Sequence, residues 1–303
     1  MKSRPAKSNS LFRFGLWSLC LTASAFFPFR LEAKDNVVAV LSSDMGPYQD
    51  ALAGFRETLG EPFTVVHLAR EHLDNSALPL VVVAFGGKAA TQKYAPGTVL
   101  IYCMAPGTYI ASSAYDGRVF QVSMMPDAKS TLLRIKSLQP GLHRLGLLWA
   151  SASDEPYIKE LHHAASAAGV EISDDKMDQP AHLPERLRAL NGRVDAFWVP
   201  ADPLLINEQN LVLLAQFSKE ARIPLYSPIA GLTERGALAT VSSSYPEIGR
   251  TAASAVQQIL KGMALSEEIY PPHNELAVNL QTASQLEVPI DQKVADQAAK
   301  GAP

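Results

Sequence analysis

The chain has 303 residues, which is enough for two ordinary domains that each have a core. Apolar residues make up 47% and charged residues 19%, which excludes a disordered protein, and the net charge of −3 argues against a nucleic-acid-binding protein. Beyond residue 33 the sequence holds one cysteine, Cys103, so no internal disulfide is expected in that part. No Cys/His spacing indicates a metal site.

Residues 1–33 have the pattern of a secretory signal peptide. A basic start precedes the apolar stretch FGLWSLCLTASAFFPF (14–29), and small residues that suit cleavage end at Ala25 or Ala33. The stretch is shorter than the roughly 20 apolar residues that cross a bilayer, so we expect removal rather than a membrane anchor. A bulky residue before Cys20 disfavours a lipidated cysteine. The chain is therefore predicted to be periplasmic.

From residue 36 onward the sequence alternates apolar runs with amphipathic segments. The predicted strands are 36–41, 63–68, 77–87, 98–104, 118–124, 144–150, 170–172, 194–200, 223–228, 237–243 and 275–280. The predicted helices are 48–60, 88–94, 126–141, 155–169, 182–192, 204–221 and 245–262. Continuous Val/Ile/Leu runs between helices favour parallel strands covered on both faces. The pattern predicts two α/β units of similar size and a polar tail at 291–303.

Several segments resemble the ABC-transporter substrate-binding protein family whose best-known members serve tryptophan and tyrosine uptake. The resemblance extends from about residue 36 to residue 290. It is carried by GPYQDALAGFRETL (46–59), VPADP (199–203), ARIPLYSP (221–228), ERGALATVSS (234–243), IGR (248–250) and ELAVNLQTASQLEVPI (275–290). No single motif identifies the family, but their common order along the chain does.

The resemblance implies an α/β fold of the type I periplasmic binding protein class, with two doubly wound parallel-sheet lobes and a cleft between them. It implies one lobe from residues 36–122 and 245–272, a second from 123–244 and 273–290, and a flexible tail at 291–303. The implied function is the solute-binding component of an ABC importer, a monomer without a cofactor. Its partners would be an inner-membrane permease and a small molecule, either an amino acid or an aromatic or apolar compound.

Candidate ligand contacts follow the predicted strands, because ligands of open α/β sheets bind outside the carboxyl ends of the strands. Asp202 stands between two prolines, where its carboxylate either meets a ligand amine or caps the next helix. The other candidates are Ser43, Asp44, Tyr48, Gly86, Gly87, Met104, Ser227 and Tyr245. Helix caps, tight turns and core positions are the alternative interpretations of these residues.

Two departures from the family pattern concern charged positions. Met104-Ala105-Pro106-Gly107 stands where many relatives have a Thr-Asp-Pro turn, and residues 227–231 lack an aspartate that relatives often have. Asp202 is then the main charged anchor expected in the cleft.

No G-x-S-x-G, H-E-x-x-H or G-x-G-x-x-G motif is present, so no catalytic residue is predicted and an enzyme is not expected. A periplasmic sensory or scaffold protein of the same fold, acting on a membrane receptor without transport, stays an open alternative.

Overall fold

The computed structural model describes residues 36–71, 73 and 79–301, and the strands in this part form two six-stranded sheets. The predicted signal peptide lies outside these residues. The first sheet contains β1 (Val37–Leu41), β2 (Thr64–His67), β3 (Val81–Phe85), β4 (Val99–Cys103), β5 (Val119–Val122) and β11 (Glu268–Ile269). The second contains β6 (Arg144–Trp149), β7 (Glu171–Lys176), β8 (Ala196–Trp198), β9 (Leu225–Ser227), β10 (Ala239–Ser242) and β12 (Glu275–Val278).

The two sheets have the same strand order, which is β2-β1-β3-β4-β5-β11 in one and β7-β6-β8-β9-β10-β12 in the other. All neighbouring strands are parallel except β12, which runs antiparallel to β10. The chain direction across the sheet reverses between β1 and β3 and between β6 and β8, so each sheet has a switch point there. The predicted fold class of two doubly wound α/β lobes is confirmed, and each sheet with its helices is called a lobe below.

Helices cover both sheets. They are α1 (Gly46–Leu59), α2 (Gly87–Ala90), α3 (Ala128–Leu138), α4 (Glu155–Ala168), α5 (Leu183–Leu190), α6 (Glu208–Ala221), α7 (Tyr245–Leu260), α8 (Leu280–Leu286) and α9 (Gln292–Gly301). Within the described residues, none of them is both long and apolar enough to span a membrane. The central strands β1, β3 and β4 are buried along their whole length, as their unbroken apolar sequences require.

The chain passes between the two sheets three times, after β5, after β10 and after β11. The second passage brings α7 back to the first lobe, where it packs closely on α1. Two glycines permit this approach, because a Cβ on Gly249 would overlap the carbonyl oxygen of Ala51 and a Cβ on Gly54 would overlap that of Pro246. The two lobes form one compact unit.

Most elements differ in their bounds from those predicted, and three of the differences have a clear position or cause. Helix α2 ends at Ala90 instead of residue 94. Helix α6 begins at Glu208 instead of residue 204, because the Asn207 side chain accepts a hydrogen bond from the N–H of Asn210 and caps the helix there. Strand β12 ends at Val278 instead of residue 280, since the next residue caps α8 in the same way.

The sequence predicts a flexible polar tail at 291–303, and this prediction is wrong for the described part. The Asp291 carboxylate accepts a hydrogen bond from the N–H of Val294 and starts α9. Ala295 is fully buried in the core of the second lobe, and Val294 and Ala298 pack against that core. Small apolar residues at helical spacing therefore dock the segment, although its composition is polar.

Candidate functional site

The Asp202 carboxylate is fully buried and is bonded within the second lobe. Its Oδ2 accepts hydrogen bonds from the N–H groups of Ala150 (2.8 Å) and Ser151 (2.7 Å). Its Oδ1 accepts from Ser151 Oγ (2.6 Å) and from the N–H of Leu204 (2.9 Å). These bonds join the turn after β6 to the turn after β8 across the switch point. These contacts support a structural role for Asp202, because four donors already occupy its two oxygens, and its role as a charged ligand anchor stays a prediction.

A serine closes the corresponding switch point of the first lobe. Ser42 Oγ accepts a hydrogen bond from the N–H of Ala89 (2.8 Å), which links the end of β1 to α2. The next residue, the predicted contact Ser43, accepts from the N–H of Met45 (3.2 Å) and stabilises the turn into α1. The contacts of Ser43 support the capping role, and its role as a ligand contact stays a prediction.

Asp44 is held by two basic side chains of its own lobe. Its Oδ1 lies 2.6 Å from His67 Nδ1, and its Oδ2 accepts a hydrogen bond from Arg70 Nε at 2.7 Å. Burial alone would raise the pKa of this carboxyl, but the hydrogen bonds and charges of His67 and Arg70 outweigh it and lower the pKa. Both oxygens of Asp44 therefore have partners at the lobe surface, and a ligand would have to compete with them.

Gly86 and Tyr48 lie together at the end of β3. The backbone of Gly86 has a φ of +100°, and a Cβ on this residue would lie 2.5 Å from Ser42 Oγ and 2.7 Å from a ring carbon of Tyr48. Close packing and backbone conformation thus require the glycine. Gly87 begins the four-residue helix α2, and a Cβ on it would lie 3.0 Å from Thr108 Oγ1.

The remaining three candidates lie in or against the cores. Met104 is buried in the core of the first lobe. Ser227 is buried in the second lobe, where its hydroxyl donates to the carbonyl of Val199 at 3.0 Å. Tyr245 begins α7 and packs against the first-lobe core. As ligand contacts, all three stay predictions.

A cavity lies between the lobes, beside the positions just described. Loops that follow β4 and β5 form its first-lobe wall, with Ala105, Thr108 and Met125 among its residues, and Asp154 and Ala201 belong to its second-lobe wall. The cavity has a volume of about 40 Å³. None of the nine predicted contacts lines it, but it lies at the carboxyl ends of strands in both lobes, as the general rule for open sheets requires.

The loops at the rim of the cavity touch across the cleft. Gly107 follows β4 and Pro203 follows β8, and a Cβ on Gly107 would lie 3.1 Å from the Pro203 ring. Gly107 also has a φ of +72°, so a glycine suits both the conformation and the contact. The lobes are therefore closed on each other at this point.

Two carboxylates that sequence reasoning missed face this cavity. Asp154 lies in the turn between β6 and α4, and Glu268 lies in β11, so each sheet contributes one acid. Asp154 is 7% exposed, and its Oδ2 has no hydrogen-bond partner among the described residues. Glu268 is half-buried and forms hydrogen bonds with Tyr270 and Ser123.

The environment of these acids disfavours their ionised forms. Burial, together with the nearby charges of Asp202 and Glu268, raises the pKa of Asp154 to about 7. Burial also raises the pKa of Glu268, although its two hydrogen bonds oppose the shift. The polar hydroxyls nearby are committed elsewhere, since Tyr157 donates to Thr131 Oγ1 (3.0 Å) and Tyr102 to Gln121 Oε1 (2.7 Å).

One sequence signal could have found Asp154. It follows a buried strand and precedes a proline at a helix start, which is the same context that drew attention to Asp202. Glu268 had no such signal, because a two-residue strand at a crossover leaves no periodic pattern.

The two lobes with a cavity between their strand ends define the type I periplasmic binding protein fold. Within that class, the chain belongs to the ABC transporter substrate binding protein family, whose match covers residues 112–301. The resemblance noted from the sequence is thereby confirmed.

Individual relatives agree with this assignment. A tyrosine-binding protein from Clostridioides difficile (strain R20291) is 22% identical over 153 residues, which cover 50% of this chain and 44% of that protein. The match thus spans less than half of the relative's length.

Solved structures are similar over most of the chain. The ABC domain in complex with L-Trp from Streptococcus pneumonia has a TM-score of 0.60 at 17% identity and covers 86% of this chain and 97% of its own. The ligand-free, open structure of a substrate-binding protein with adhesive properties from Clostridium difficile has a TM-score of 0.60 at 16% identity, with 84% and 95% covered. At these identities the likeness establishes the fold.

Proposed function

We propose that this chain is the periplasmic solute-binding component of an ABC importer. It captures a small molecule between its lobes and delivers it to a permease in the inner membrane. The observation that carries the proposal is the cavity, which has walls from the strand ends of both lobes. A ligand held there contacts both lobes at once, so binding favours the closed arrangement, and the permease can distinguish that arrangement from the open one.

The proposed ligand has the size of an amino acid and carries an aromatic or apolar group. Tyr102, Tyr157, Met124 and Met125 line the cavity, and such side chains suit rings and apolar chains. The tyrosine-binding relative and the solved ABC domain in complex with L-Trp support the same size and class.

The present volume requires the lobes to move when a ligand enters. A cavity of about 40 Å³ has room for a few water molecules at most. The contact between Gly107 and Pro203 must therefore break, and the three passages between the sheets are the places where a hinge can act.

Calorimetric titration tests the binding function. The probes are L-tryptophan, L-tyrosine and L-leucine, together with the amines and carboxylic acids that share their side chains. The variant Ala201→Trp fills the cavity from the second lobe, and Val212→Trp on the exposed face of α6 is the matched control.

We expect at least a tenfold loss of affinity in the cavity variant and unchanged affinity in the control. Equal affinity of both variants for a probe that binds would contradict a site in this cavity. Saturable binding by none of the probes would contradict the ligand class. The transport role predicts that deleting the gene abolishes cellular uptake of the probe that binds.

A further inference from the structure

We infer that the cleft selects an organic amine that lacks a carboxylate, in preference to the amino acid with the same side chain. The inference rests on the proposed function and names the charge that the ligand must carry. Two acids, Asp154 and Glu268, face the inter-lobe cavity, and no Lys, Arg or His is among its described lining residues.

Of the two acids, Asp154 gives the stronger support for a cationic ligand. The side chain is 7% exposed, lines the cavity, and has an Oδ2 atom without a hydrogen-bond partner among the described residues. The hydroxyl of Ser153 on the same wall is also buried and without a partner there. A buried carboxylate without a donor is unfavourable unless it is protonated or a cation joins it. An ammonium group supplies the charge and several N–H donors at once.

The surroundings of Asp154 make a cation the favoured partner. The charged groups that act on it are the carboxylates of Asp202, from the turn after β8, and of Glu268, from β11, and the phenol of Tyr157 in α4 lines the same cavity. Tyr102 and Cys103, which line the same cavity, are neutral because burial raises the pKa of both.

The basic residues near this turn are already paired at the surface. Lys159 and Lys176 both form ion pairs with Glu155, the residue that follows Asp154 in the sequence. The site thus holds negative charge without a compensating positive group from the protein.

A ligand carboxylate has no charged partner in this arrangement. An amino acid would bring its own anion beside Asp154 and Glu268, where the described lining residues offer no cationic side chain to pair with it. A metal ion is a poor alternative, since the described residues contain no group of three or more His, Cys, Asp or Glu side chains arranged to hold one.

The placement of one acid on each sheet also links the charge to lobe closure. When the lobes close without a cation, Asp154 and Glu268 approach each other and repel, which is one reason why the pKa of Asp154 is raised to about 7. An ammonium group between them removes the repulsion and stabilises the closed form. Because the amine binds the ionised form of Asp154, its affinity should fall as the pH decreases below 7.

Matched probe pairs test the inference by calorimetric titration at pH 8. The pairs are tryptamine and L-tryptophan, tyramine and L-tyrosine, and isopentylamine and L-leucine, with indole-3-propionate as an anion that keeps the indole ring. We expect the amine of a binding pair to have at least tenfold higher affinity than the amino acid, and the anion to be the weakest. The affinity of the amine should decrease severalfold from pH 8 to pH 6.

The variants Asp154→Asn and Glu268→Gln should each weaken amine binding at least tenfold, and Asp154→Asn should also reduce the pH dependence, because only Glu268 then titrates in the cavity. Glu220→Gln, on the exposed side of α6, is the charge-matched control and should change neither quantity. Thermal unfolding of each variant shows that it is folded, and two independent variants keep the test valid if one is not. An amino acid that binds as tightly as its amine, and loses affinity in Ala201→Trp, overturns the charge preference and leaves the proposed function intact. Binding by none of the probes overturns both.

Discussion

The variant Asp202→Ala should destabilise the protein strongly, because the Asp202 carboxylate supports two turns. Removing it leaves the N–H groups of Ala150, Ser151 and Leu204 without their acceptor in a buried region. An unsatisfied buried group costs about 1–3 kcal/mol, and the low end applies because the variant also removes a buried charge. Three such groups then give a loss of about 3 kcal/mol in the free energy of unfolding. For a protein of this size, that corresponds to a decrease of about 6–12 °C in melting temperature.

Urea unfolding followed by circular dichroism measures this loss directly. The matched control is Asn207→Ala, five residues after Asp202, which removes an exposed helix cap and should cost about 1 kcal/mol. If Asp202→Ala melts within 2 °C of the parent protein, the four hydrogen bonds do not stabilise the turn measurably. A stable variant with weakened ligand binding would instead support the prediction that Asp202 is a ligand anchor.

Two further predictions concern packing and pH. Gly249→Ala should destabilise the protein by about 3 kcal/mol or more, because the new Cβ overlaps the carbonyl oxygen of Ala51. Gly46→Ala, which has open space around it, is the control and should be nearly neutral. Thermal unfolding compares the two variants, and equal melting temperatures would contradict the close contact between α1 and α7. The pKa of Asp154 is raised from about 4 in the unfolded chain to about 7 in the folded protein. Its contribution to stability is fully present below about pH 4 and is lost as the pH rises through about 7. The free energy of unfolding should therefore fall by about 2 kcal/mol from pH 5 to pH 8 in the parent protein, and by less in Asp154→Asn. The lowered pKa of Asp44 acts in the opposite direction, and its contribution to stability is lost only as the pH falls below about 4. A free energy of unfolding that rises from pH 5 to pH 8 would refute the raised pKa assigned to Asp154.

The strand segments along the chain and the α/β class were predictable because burial on both faces of a strand leaves a direct record in the sequence. Val81–Phe85 and Val99–Cys103 are unbroken apolar runs, and in the structure both are fully buried parallel strands. Segments that depend on a few side-chain contacts were less predictable. The helix at 292–301 is polar on average, and the burial of Ala295 against the second-lobe core becomes visible only when the lobe is assembled.

The candidate site was predictable as a location but not as a set of residues. The rule that ligands bind at strand carboxyl ends led to Ser43, Gly86 and Asp202, and the turns after these strands do lie at that edge. Which side chains face the other lobe depends on how the two sheets meet, and this is not encoded in periodicity. The loops after β4 and β5 face the second lobe, while the switch-point residues are bonded to one another within each lobe.

Asp154 and Asp202 show how two buried aspartates on neighbouring turns acquire different roles. Asp202 accepts four hydrogen bonds, three from backbone N–H groups and one from Ser151 Oγ, and these bonds fix the turn after β6. Asp154, which also lies between β6 and α4, has a carboxylate oxygen without a hydrogen-bond donor among the described residues, and burial, together with the charge of Asp202, raises its pKa. The satisfied acid therefore both positions the unsatisfied one and disfavours its ionisation. A cationic ligand compensates the charge of ionised Asp154. The destabilisation at this residue is thereby recovered as binding free energy when the lobes close on the ligand.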